Sequence, residues 1–354
     1  MRPLPALLLI AAGSASLVRP FRPATSEAAS YTTSWADSSK LGDTTFYSRG
    51  RVVTTVLVLP DSQWAVRPPV VLGLPNGPSQ LPPDSLCTLG YTGTTIPVFT
   101  ATVLRDLERT RECGGRTFAQ IRLAKLKDST GALSVEAARA ELDGWPWPGL
   151  CGRVQDSTIV AFYIGDDVTD AGWGPAPLAT RLAQWDTVAG VIQARCPDAP
   201  VVIRALPTQL EARPHWQWLT TAWAQYPGPR PRWGSPEQFF GSQVASARRQ
   251  HLGLVAGLNL LNGGCGPAAR GWCLPNVPGT TLPGTRPDLY QMSAAELMYY
   301  KSVAMTEPYV CASVDWSWGP NFRSGFHDRP DIQSAAKALG VIARKRPLTS
   351  CVQR

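Results

Sequence analysis

The chain has 354 residues, 44% of them hydrophobic and 17% charged, with 33 Pro, 31 Gly, 13 Trp and 8 Cys. That length and apolar fraction suit one large domain or two ordinary ones with a sizeable core, and they exclude a disordered or collagen-like chain. The formal charge of +8 is spread thinly: Arg344-Lys345-Arg346 and Arg248-Arg249 each end a helical pattern and read as solvated helix faces, so no nucleic-acid partner is expected.

In chain order, residues 1–16 carry an early Arg2, an apolar run from Leu4 to Ala12 and small residues at Gly13-Ser14-Ala15. This is the pattern of a secretory signal peptide, and the run is too short to span a bilayer. A secreted protein without stable membrane insertion is expected. Residues 17–40 are rich in Ser, Thr and Ala and read as a flexible linker. Residues 41–83 hold two β-rich runs, Arg51–Pro60 and Ala65–Pro75, and read as a β-hairpin appendage whose Pro68-Pro69 pair confines the second run to an edge.

From residue 84 to 354 strand and helix patterns alternate. Short apolar strands are predicted at Leu86–Tyr91, Thr117–Leu123, Ile159–Gly165, Val201–Leu206, Leu219–Trp223, Leu252–Leu260 and Val310–Trp316. Amphipathic helices are predicted over Pro97–Arg111, Leu178–Arg195, Pro236–Gln250, Ser293–Met305 and Asp331–Arg344, with a capping box at Ser293/Glu296 and a further helix starting at Ser134. Repeated β-then-α order requires a parallel sheet with right-handed crossovers. The expected fold is an α/β (β/α)8 TIM barrel, with the eighth strand either inside the appendage or around Trp145–Val154. A doubly wound sheet is second choice, since no GxGxxG follows the first strand.

Eight cysteines fit an oxidising compartment, and the absence of CxxC together with only three His argues against a metal centre. Barrel geometry suggests Cys151–Cys196, Cys311–Cys351 and Cys87–Cys113 as staples on the N-terminal face of the barrel, with Cys265–Cys273 pairing inside one loop. Other catalytic classes lack their motifs, since the GxSxG serine elbow, HExxH and the phosphate-binding GxxxxGK[ST] are all missing, and no cofactor is expected.

Chemistry in such a barrel sits at the C-terminal strand ends. Asp166-Asp167 directly ends an apolar strand, and alternation puts one carboxylate toward the mouth and one outward. Burial of the inner one would suit it to acid/base work. Asp315 could supply the second carboxylate of a glycoside-cleaving pair. Arg122, Arg204, Gln225 and Asn259 lie at other strand ends and could hold hydroxyls. Trp173, Trp272, Trp316 and Trp318 lie in or beside mouth loops, where sugar rings stack on indole faces. Each has a bland alternative in a helix cap, a structural ion pair or core packing.

The runs TIVAFYIGDDVTDAGWG, PVVIRALPTQLE, LTTAWAQYPG, HLGLVAGLNLLNGG and CASVDWSWGPNF together resemble secreted bacterial TIM-barrel proteins of glycoside-hydrolase type over residues 84–354. The resemblance implies a site at the Asp166-Asp167 strand end, with Asp167 where such barrels often carry an acid/base Glu. Two functions are expected: hydrolysis of a glycan by Asp166 or Asp167 with Asp315, or non-catalytic glycan binding by a barrel that lacks the acid pair.

Overall fold

The computed structural model describes residues 74–213, 215–228, 233–260, 292–316, 329–347 and 349–353, and the backbone of four short strands before residue 56. Those four form two antiparallel pairs, Ser30–Ser34 with Arg51–Thr55 and Lys40–Leu41 with Thr44–Thr45. The strand at Arg51 thus pairs with a segment read as linker, and the run after Ala65 lies outside the described residues up to residue 73.

Eight parallel strands form the (β/α)8 barrel: β1 (Asn76–Pro78), β2 (Gly93–Pro97), β3 (Arg116–Gln120), β4 (Ile159–Gly165), β5 (Val201–Arg204), β6 (Thr221–Tyr226), β7 (Gly253–Leu258) and β8 (Val310–Asp315). The sheet runs from β2 through β3 to β8 and then β1, so chain order and spatial order coincide. Around it lie α1 (Pro83–Leu89), α2 (Val103–Glu112), α3 (Val135–Asp143), α4 (Trp147–Gln155), α5 (Leu178–Gln193), α6 (Pro207–Leu210), α7 (Pro236–Arg249), α8 (Ala294–Thr306) and α9 (Pro330–Lys345). Among the described residues no helix is long and apolar enough to cross a membrane.

One sequence expectation is corrected, and the choice left open for the eighth strand is decided. Leu86–Tyr91 is not a strand: Pro83 at the first helical turn and left-handed Gly90 at the C-cap frame a helix there. The strand at this point is Gly93–Pro97, whose Thr-rich, half-polar sequence hid its burial. The eighth strand is Asn76–Pro78, inside the segment read as appendage, while Trp147–Gln155 is helical.

That first strand is only three residues long, and its junction with β2 has its own chemistry. Pro75 and Pro78 have no N–H to give, so threonine hydroxyls replace ladder bonds. Thr92 Oγ1 accepts from Asn76 N (2.9 Å), and Thr94 Oγ1 accepts from Leu81 N (2.9 Å) while donating to Pro78 O (3.0 Å). The two backbones approach so closely that a Cβ on Gly77 would overlap the Gly93 carbonyl. Across β1 and β8, Lys301 of α8 donates to Asn76 Oδ1 and to Ser313 O (3.1 Å).

The barrel is filled by Phe118, Tyr163, Val202, Trp223, Val255 and Val314. Its N-terminal end is plugged by the segment around Cys351, whose carbonyl accepts from Thr221 Oγ1 (2.7 Å). A Cβ on Gly253 would collide with that carbonyl, so glycine is required at the floor. The Cys311–Cys351 disulfide holds the plug, and Cys87–Cys113 joins α1 to the end of α2. The Cys151–Cys196 expectation is not met: both are thiols, with the Cys151 Sγ donating to Arg195 O at 3.5 Å and hydrogen-bonded to Cys196. Cys265 and Cys273 lie outside the described residues.

Candidate functional site

At the C-terminal end of the barrel the inward positions turn from apolar to polar on four consecutive strands. β4 ends in Asp166-Asp167, β5 in Arg204, β6 carries Gln225, and Asn259 follows β7. The strands bring these groups together around one guanidinium. Arg204 pairs through Nε with Asp166 Oδ1 and through Nη2 with Asp167 Oδ2 at 2.9 Å. Its Nη1 donates to Gln225 Oε1 at 3.0 Å, and the Gln225 amide donates to Asn259 Oδ1. Asn259 bridges to Trp316 just past β8, whose ring lies 5.0 Å from the Arg204 guanidinium carbon.

The expectation that the two Asp side chains diverge is corrected, because both reach Arg204. Strand alternation ends here: the β4–β5 register slips between Tyr163 and Gly165, and Asp167 leaves the strand with a left-handed φ of 46°. Such a conformation costs a non-glycine residue on the order of 1 kcal/mol or more, and here it aims the carboxylate at Arg204.

Asp166 and Asp167 differ in environment. Asp166 is half-buried, and Asp167 is 60% exposed. Burial raises the Asp166 pKa, the Arg204 charge opposes that rise, and the Asp167 charge adds to it, with a net rise. The hydroxyl of Tyr163, a buried residue of the barrel interior, hydrogen-bonds this carboxylate. Burial would lower the pKa of Arg204, but the charges of Asp166, Tyr163 and Asp167 raise it, so the guanidinium stays charged. Burial thus shifts Asp166 toward its neutral form, while its carboxylate neighbours hold Arg204 as a cation.

Asp315 is not brought to this site. Its side chain has 0% exposure and lies 2.7 Å from Lys301 Nζ, which reaches in from α8 on the outer side of the sheet. Burial pushes its pKa up to about 6, against the opposing Lys301 charge. Burial in turn lowers Lys301, against the charge of Asp315. The neighbouring inward position is Val314, so alternation turns Asp315 away from the mouth.

Trp173 is also corrected as an open platform, being 7% exposed. Its indole donates to Asp166 O (2.8 Å), packs edge-on against Trp185 and carries Lys127 Nζ 4.6 Å from a ring centroid. It holds the Asp166 loop in place. Arg122 stands after β3 with its side chain 41% exposed, 4.7 Å from the Phe99 ring and 3.9 Å from Glu141. Trp272 and Trp318 lie outside the described residues. Tyr163, Phe99 and Lys127 were missed by sequence reasoning. Period-2 alternation gives no sign that Tyr163 serves Asp166, because the register slip intervenes. Among the described residues no group of three or more His, Cys, Asp or Glu could hold a metal ion.

No protein-family model matches the chain, and no curated protein matches it. Among solved structures it is similar to the β-glucuronidase of Parabacteroides merdae, with 10% identity over 69% of this chain and 31% of that one and a TM-score of 0.45. It is similar to a GH18 chitinase of Pseudoalteromonas aurantia, with 11% identity over 74% and 98% and a TM-score of 0.41. An endoglucanase aligns at 11% identity over 75% and 97%, with a TM-score of 0.47. The chain spans about a third of the length of the glucuronidase. At such identity the likeness concerns the barrel fold and not the chemistry at its mouth.

Proposed function

We propose that the barrel mouth recognises a glycan without cleaving it through a carboxylate pair. The carrying observation is the continuous polar arc Asp166–Arg204–Gln225–Asn259 ending on the Trp316 indole. Carboxamides and a fixed guanidinium are donors and acceptors for hydroxyls, and an indole offers a face to a sugar ring. Both carboxylates are engaged by Arg204, and Asp315, the expected partner of an acid pair, is committed to Lys301. The sequence resemblance to glycoside-hydrolase barrels supports the ligand class. Export to an oxidising compartment accords with the signal-like N-terminus and with two disulfides.

A second reading, hydrolysis with Asp166 as general acid, is favoured by the raised pKa of that carboxyl. One panel of polysaccharides, scored for both binding and release of reducing ends, tests both. Binding without release supports recognition. Release that disappears in Asp166→Asn supports hydrolysis and ends the first reading. Absence of binding in a panel spanning neutral and charged glycans ends both.

A further inference from the structure

The rim of the mouth on the β2–β4 side differs from the amide-rich side. The loop after β3 contributes the basic groups, two of them backed by aromatic rings from the loops after β2 and β4. Phe99 follows β2 and is 38% exposed, and Arg122 after β3 lies over its ring at 4.7 Å. One turn on, Lys125 N bonds Arg122 O, and the Lys125 side chain is exposed. Lys127 follows, its ammonium 4.6 Å from the Trp173 ring and donating to Gly172 O at 2.7 Å. Strand register ties this rim to the site: Val98 N bonds Gln120 O, and Ile121 N bonds Tyr163 O, so Phe99 and Arg122 stand beside the Asp166 strand end.

These cations are only partly neutralised within the chain. Glu141 comes no closer to Arg122 than 3.9 Å, at Nε, and Asp128, next to Lys127, spends Oδ1 on Thr130 and Ala132. Asp166 and Asp167 are held on the far side by Arg204. A cation stacked on an aromatic face is pre-positioned, and the charge it presents at the rim is matched by an anionic ligand group. The amides on the other side of the mouth meet hydroxyls. Together they match a glycan that carries both.

We infer that this rim is the subsite for an anionic sugar unit, bearing a carboxylate or a sulfate, within the glycan bound at the mouth. The inference rests on the glycan reading above and narrows its ligand. Arg122 and Lys125 meet the anionic group, while Gln225 and Asn259 take neighbouring hydroxyls.

The test compares polygalacturonate with its methyl ester, which keeps the backbone and removes the charge, with heparin as the sulfated arm. The full chain should bind an anionic polymer at least tenfold more tightly than the ester at 50 mM salt. Arg122→Gln with Lys125→Gln should lower that affinity about tenfold and leave binding of the ester unchanged. Lys337→Gln with Lys345→Gln on α9 removes the same charge elsewhere and should change it less than twofold. Preference for polygalacturonate assigns a carboxylate, and preference for heparin a sulfate. Equal binding of acid and ester, or equal losses in both double variants, overturns the inference while leaving glycan recognition standing. Failure of every polymer to bind overturns both. Gln225→Ala with Asn259→Ala reports on the glycan reading alone, because it should weaken acid and ester alike.

Discussion

Arg204 and Lys301 show how one residue type of interaction serves two ends. Arg204 is a guanidinium shared by two carboxylates and a carboxamide at an open mouth, so its removal should be felt first in titration. In Arg204→Gln the Asp166 pKa should rise further, since the charge that opposes its burial is lost; carboxyl-carbon NMR titration against the wild type reads this. Lys301 instead pairs with Asp315 in a closed wall, where loss of one partner strands a buried charge. Lys301→Met should cost about 3–5 kcal/mol in urea unfolding, with a large part recovered when Asp315→Leu is added. The pH dependence follows from Asp315. Its folded pKa of about 6 exceeds an unfolded value of about 3.9. The folded state therefore keeps a proton that the unfolded state releases, and this stabilising contribution is fully present below about pH 4 and lost as pH rises to about 6. Unfolding free energies at pH 4, 5 and 6, relative to Asp315→Asn, should decline in that order.

Among the elements, the shortest strand and the plug carry disproportionate weight. β1 contributes three residues, and its attachment depends on Thr hydroxyls and on the absence of side chains at Gly77 and Gly93. Gly77→Ala is expected to cost on the order of 1–3 kcal/mol by overpacking, and Thr94→Val a similar amount by leaving Leu81 N without its buried acceptor. Denaturant midpoints measure both. Cys351→Ser should cost about 2–5 kcal/mol, because it frees the segment whose carbonyl closes the barrel floor. Cys196, which is 2% exposed, should resist alkylation in the folded protein and react once it is unfolded, with mass spectrometry as the readout.

Across the whole molecule, what could be read from sequence tracks what local physics encodes. The strand Ile159–Gly165 is apolar on both faces, as buried parallel strands are, and both it and Val310–Asp315, whose Ser313 and Asp315 share one face, are found with close bounds. The capping box at Ser293 and Glu296 located α8. By contrast Asn76–Pro78 has no apolar run at all, and its strand character comes from partners distant in sequence. The same division holds at the site. Asp166, Arg204, Gln225 and Asn259 stand at strand ends, a position that alternation and length reveal. The face of Asp315 depended on the pairing of β8 and on a lysine from another helix. The convergence of Asp166 and Asp167 depended on a register slip and a left-handed residue, neither of which leaves a sequence pattern.

The tie between Lys301 and Asn76 joins residues 225 apart in sequence. Bringing such distant segments together is entropically late, because the intervening chain must already be ordered for the contact to return its energy. The barrel should therefore shut as a final event, after β2–β8 have assembled as an open sheet. Residues at the closure then contribute after the rate-limiting barrier rather than before it. Gly77→Ala and Thr94→Val should speed unfolding while leaving refolding rates nearly unchanged in stopped-flow experiments. Comparable slowing of refolding would place the closure inside the folding nucleus. The same reasoning places the whole stability contribution of the smallest strand in the lifetime of the closed barrel and none of it in the folding rate.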